Sequence, residues 1–80
     1  MITAGQLKAA RALLGIEQRM LAEMAGVSLP TIQRMEASEG TVRGNVDTLT
    51  KVVDALERAG VELLYVGGRG VRLREKAGNA

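Results

Sequence analysis

QRMLAEMAGVSLPTIQRM, residues Gln18 to Met35, is the stretch whose spacing decides the fold. Gln18 opens an apolar-periodic run with Leu21, Ala22 and Ala25, Gly26 interrupts it, and Val27, Ser28, Ile32 and Met35 follow. Ala22 is small enough to let a second helix cross closely, and Gly26 tolerates the positive φ of a sharp turn. Ile32 and Met35 on the second helix would then pack back on Leu21 and Ala25 of the first. The pattern predicts two short helices crossed around a glycine.

The flanks add elements on both sides. Thr3 followed by Gln6 is a capping-box pattern at the start of a first helix, with Ile2 and Leu7 placed as its hydrophobic staple. Leu7, Ala10, Leu13 and Leu14 recur at helical spacing, and Gly15 is placed to end the helix. The second helix is expected from about Glu17 to Ala25. Ser28 suits the N-cap of the third, Val27 and Ile32 repeat the staple, and Pro30 falls in the first turn, where a missing N–H costs nothing. After Ala37 a polar loop with two glycines leads to Asn45, the expected cap of a fourth helix. Asp47 lies near its positive end, Leu49, Val52, Val53 and Leu56 make one apolar face, and Gly60 stops it.

Beyond Gly60 the period changes. Val61 to Val66 is β-branched and aliphatic, Gly67 to Gly70 is turn material, and Val71 to Arg74 alternates, which predicts a β-hairpin. Val61, Leu63 and Tyr65 share one face, and Leu64 and Val66 the other. An isolated two-stranded hairpin is marginal in water, so one apolar face is expected on the helices and the other, or the free edge, against a second subunit. The expected dimer interface is Val61, Leu63, Leu64, Tyr65, Val66, Val71 and Leu73. The expected fold is mainly α (α+β): four helices in residues 1–60, a hairpin in 61–74 as an element of the same domain, and a disordered tail in 75–80.

Composition narrows the function. At 80 residues the chain has room for one domain, and its core must be aliphatic, because Tyr65 is the lone aromatic. Chains this short are marginal alone, which favours self-association. With neither cysteine nor histidine, disulfides, thiolate metal sites and the commonest general base are unavailable. No clustered carboxylates or phosphate loop appear, so no catalytic residue, metal, cofactor or small-molecule ligand is expected. Gly67-Gly68-Arg69-Gly70 lacks the lysine and following helix of a phosphate loop. No apolar run reaches membrane-spanning length and Met1-Ile2-Thr3 does not read as a signal peptide, so a cytoplasmic, nucleoid-associated protein is expected. Net charge is only +2, implying a local basic face rather than a wholly basic protein. Arg69, Arg72, Arg74 and Lys76 crowd the end, where a solvated tail or supplementary phosphate contacts would both account for them.

Residues 17–37 have the form of a helix-turn-helix, whose second helix is held proud to enter a major groove. The run QRMLAEMAGVSLPTIQRMEAS resembles the Cro/phage-repressor type, the XRE family of small bacterial and phage regulators. Agreement in motif covers residues 18–37, and a looser match in helix and loop lengths reaches residues 4–58. The resemblance implies double-stranded DNA as partner and assigns base reading to Leu29, Pro30, Thr31, Gln33 and Arg34. A guanidinium such as Arg34 can bond guanine O6 and N7 together, and apolar groups can meet thymine methyls. Gln18 stands where the family has a phosphate-bonding glutamine, and Arg19, Ser28 and Arg43 are further candidates for the backbone. Arg11 and Glu36 match an arginine and a glutamate that similar regulators pair, implying a partly buried structural ion pair.

Two departures stand out. Glu17 replaces the usual Ser or Thr cap of helix 2, and Glu39 adds negative charge to a loop that is often basic in relatives. Both lower the expected affinity of one subunit and make a dimer more necessary. Many relatives carry a fifth helix where this chain has its hairpin. The expected function is a dimeric transcriptional repressor reading a pseudo-palindromic operator. The alternative is an antitoxin or adaptor whose hairpin binds a partner protein, with DNA binding for autoregulation.

Overall fold

The computed structural model describes residues 1–75, in the order α1 (Ala4–Leu14), α2 (Gln18–Ala25), α3 (Leu29–Glu36), α4 (Val46–Arg58), β1 (Val61–Leu64) and β2 (Gly70–Leu73). The expected disordered tail falls, but for its first residue, outside the described residues, as does Lys76.

Each helix starts where local chemistry supplies an acceptor for its free amides. The Thr3 hydroxyl accepts from the Gln6 N–H at 3.1 Å, and Gln6 Oε1 accepts from the Thr3 N–H at 2.9 Å, which completes the capping box. Ser28 and Asn45 cap α3 and α4 through the amides of Thr31 and Thr48. Helix α2 is the exception. Glu17 occupies its N-cap and makes no side-chain bond there, so the helix begins at Gln18. Gly15 and Gly26 end α1 and α2 at φ 68° and 70°, the left-handed geometry that costs other residues a Cβ clash.

The core is aliphatic. Ile2, Leu7, Leu21, Ile32, Val52, Leu56 and Val61 are fully buried, and each large side chain contributes about 1.5–3 kcal/mol of transfer free energy. Leu21 and Ala25 of α2 and Ile32 and Met35 of α3 belong to this one cluster, with α4 packed across α2. Leu13 lies at the edge of the arc that α1 buries and is exposed. The loop after α3 is more ordered than its polar composition suggests. Val42 is buried, its N–H bonds the Ile2 carbonyl at 3.0 Å, and Gly40 accepts from Ala4, so the loop seals the start of α1.

The hairpin pairs Val61 with Leu73, Glu62 with Arg72, Leu63 with Val71 and Leu64 with Gly70. Opposed residues share a face, so Val61, Leu63, Val71 and Leu73 look one way and Glu62, Leu64 and Arg72 the other. Leu63 and Val71 of the first set pack on the helices, Val61 is lost inside the core, and Leu73 at the end of the ladder stays exposed. The expectation of two apolar faces is therefore corrected. β1 stops at Leu64, Tyr65 and Val66 pass into the connecting loop, and the outer face carries the Glu62–Arg72 ion pair beside Leu64. The physical reason is that Gln6 takes the carbonyls of Leu64 and Gly70, the last pair of the ladder, and Gly67 and Gly68 turn the chain at φ 80° and 136°. Val61 offers no surface for a subunit contact, while Leu64, Tyr65, Val66 and Leu73 remain exposed.

Candidate nucleic-acid interface

Helix α3 buries Ile32, Met35 and Glu36, which fixes the opposite flank in solvent. Pro30, Gln33 and Arg34 are exposed, and Leu29 and Thr31 are half-buried. Ser28, Thr31 and Arg34 form a row along that flank. The Ser28 and Thr31 hydroxyls are 2.8 Å apart, and Arg34 Nη2 donates weakly to Thr31 Oγ1 at 3.4 Å. A bond that long leaves the guanidinium free to turn towards another acceptor.

Arg34 also lines a shallow cleft with Thr31, Arg43, Asn45 and Thr48. The sequence treats Arg34 and Arg43 as separate contacts, one for bases and one for phosphate. Folding brings both residues to the same cleft, beside the N-terminus of α4 with its partial positive charge. Their separation in the chain hides this, and only the docking of the loop after α3 could have indicated it.

Behind the exposed flank lies a polar network that sets α3 in place. Arg11 Nε donates to Glu36 Oε2 at 2.7 Å and Arg11 Nη2 to Glu36 Oε1 at 2.9 Å, a two-pronged contact. Arg11 Nη1 reaches on to the Ile16 carbonyl at 3.0 Å, so one side chain joins α1, the α1–α2 turn and the end of α3. Glu36 is buried. Burial alone would push its carboxyl up, but bonds from Arg11 and Gln18, aided by the charges of Arg11 and Lys8, outweigh it and hold the pKa below the usual carboxylate range. The same bond to Glu36 raises the pKa of Arg11 against its own partial desolvation.

Gln18 is placed differently from a free phosphate ligand. Its Nε2 donates to Glu36 Oε1 at 3.0 Å, which leaves one amide N–H for an outside acceptor. Arg19, Ser28 and Arg43 are exposed. Gln6 is the polar residue whose reach the sequence conceals. Beyond its capping role it is buried and donates to the Leu64 carbonyl at 2.9 Å and the Gly70 carbonyl at 3.0 Å.

Among the described residues no His, Cys, Asp and Glu cluster could hold a metal, and no helix is long and apolar enough to cross a membrane. No curated protein matches the chain. A helix-turn-helix family model matches residues 7–63, which takes in the α2–α3 unit and all four helices but for the first turn of α1. With a short turn around Gly26, a buried inner face on α3 and a bare outer one, the chain belongs to the Cro/C1-type helix-turn-helix family of XRE regulators and is a DNA-binding protein of that kind.

Proposed function

We propose that the protein is a sequence-specific transcriptional repressor that binds as a homodimer to a pseudo-palindromic operator. The observation that carries this reading is the exposed flank of α3, where Pro30, Gln33 and Arg34 stand in solvent while Ile32, Met35 and Glu36 anchor the helix. Leu29, Pro30, Thr31, Gln33 and Arg34 read base edges. Gln18, Arg19, Ser28 and Arg43 fix the register on phosphates. A single α3 offers few base contacts, and the acidic Glu17 and Glu39 lie in the same region of the chain, so two subunits on one duplex supply the affinity. Their recognition helices then sit about 34 Å apart, one turn of B-DNA. Repression follows from occupying promoter DNA.

The test is selection of bound duplexes from a random pool, with the mass of the complex measured in solution. Two inverted half-sites one helical turn apart are expected, bound on the order of 10³-fold more tightly than random duplex and weakened steeply by salt. Failure to bind any duplex at low ionic strength would overturn the reading.

A further inference from the structure

An apolar groove of about 520 Å³ runs between α4 and the start of the chain. Met1, Ile2, Val46, Leu49, Val53 and Tyr65 line it, and none of these belongs to α3. Ile2 and Leu49 are core residues, but Val46 is 74% exposed, Met1 64% and Tyr65 46%. Nothing local accounts for Val46, because Asn45 already caps α4 and a β-branched residue adds little to a helix start. The two flanks differ in charge. Asp54 and Glu57 of α4 border one side. Asp54 is engaged by Arg58, while the Glu57 carboxylate makes no ion pair among the described residues. On the other side Arg69 lies 5.3 Å from the centroid of the Tyr65 ring and donates to the Met1 carbonyl.

We propose that this groove is the contact between two copies of the chain, set face to face about a two-fold axis. The inference rests on the dimer reading given above and names its surface. A two-fold contact meets its own image, so it must be self-complementary. A groove with acid on one flank and base on the other meets that condition when the two-fold axis runs along the groove, since rotation then brings Arg69 of each copy opposite Glu57 of the other. A patch of one sign would repel itself. Val46, Met1 and Tyr65 supply the apolar centre, with the aromatic ring as anchor. The Val46 end adjoins Asn45, which borders the cleft of Thr31 and Arg34, so the contact lies beside the DNA-facing flank and leaves both copies of α3 uncovered.

Sedimentation equilibrium of the full chain across the micromolar range tests this. The unaltered chain is expected to dimerise, and Val46→Glu to be monomeric with unchanged circular dichroism. Glu57→Arg and Arg69→Glu should each raise the dimer dissociation constant roughly tenfold, and the two together should recover most of that loss. If Val46→Glu perturbs the fold, the charge reversals decide alone. A dimer that all these variants leave intact overturns the groove but keeps the dimer, and Leu64→Glu then reports on pairing through the hairpin. A chain monomeric throughout overturns both.

Discussion

Gln6 and Leu64 stand 58 positions apart, and Gln6 Nε2 donates to the Leu64 carbonyl oxygen at 2.9 Å. The same nitrogen reaches the Gly70 carbonyl at 3.0 Å, while Oε1 accepts from the Thr3 amide. One buried side chain thereby starts α1 and clamps the turn end of the hairpin. Gln6→Glu separates the two roles, because it keeps an acceptor for Thr3 but replaces the donor with a carboxylate facing two carbonyl oxygens. It should cost at least about 2 kcal/mol in urea unfolding at neutral pH and speed hydrogen exchange in β1. The deficit relative to the unaltered chain should shrink in acid, where the carboxyl regains a proton to donate. Equal stability at neutral pH would show that the clamp contributes nothing.

Arg11 and Glu36 predict an asymmetric pair of variants. Arg11→Ala leaves a buried carboxylate without its main partner and should destabilise by roughly 3 kcal/mol. Glu36→Ala should cost less, since Arg11 is more exposed and can turn to water. Glu36 also sets a pH dependence. Its pKa is lower folded than unfolded, so its contribution is complete above the unfolded value of about 4.3 and is lost as pH falls through the folded value. Urea midpoints measured from neutral pH into acid should fall in that window, and Arg11→Ala should flatten the fall.

Gly26 isolates backbone strain. An added Cβ would meet nothing within 4 Å, yet φ is 70°. Gly26→Ala should therefore cost about 1–2 kcal/mol through conformation alone, with Gly26→Asn in between. A neutral Gly26→Ala would mean the turn can relax.

Glu17→Ser gives α2 the side-chain cap it lacks. Thermal unfolding should show a gain of about 0.5–1 kcal/mol. Binding to random duplex should also tighten, because a negative charge is removed close to the α2 N-terminus. Unchanged affinity would place Glu17 away from the phosphates.

Arg34→Ala should leave the melting temperature unchanged while removing about 1–3 kcal/mol of preference at one base pair. Arg43→Ala should instead weaken all duplexes alike and lower the salt slope by about one. Titrations of selected and scrambled duplexes at several salt concentrations distinguish them. An Arg34→Ala variant with full selectivity would displace base reading from this flank.

The local decisions were legible because they depend on neighbours in the chain. Thr3, Ser28 and Asn45 cap helices through amides three residues on, Gly15 and Gly26 end them by backbone geometry, and Leu21, Ala25, Ile32 and Met35 face one another by helical period. The full length of β1 was not, since Tyr65 and Val66 fit a strand by propensity, while the Gln6 clamp and the turn at Gly67 and Gly68 end the ladder at Leu64. Nor was the convergence of Arg34 and Arg43, which depends on Val42 being buried beneath the loop between them. What the residues determined alone was where helices begin, turn and stop. Which polar side chains hydrogen-bond one another, and which apolar ones stay bare, depended on contacts across tens of residues, and these exist only once the chain has closed on itself.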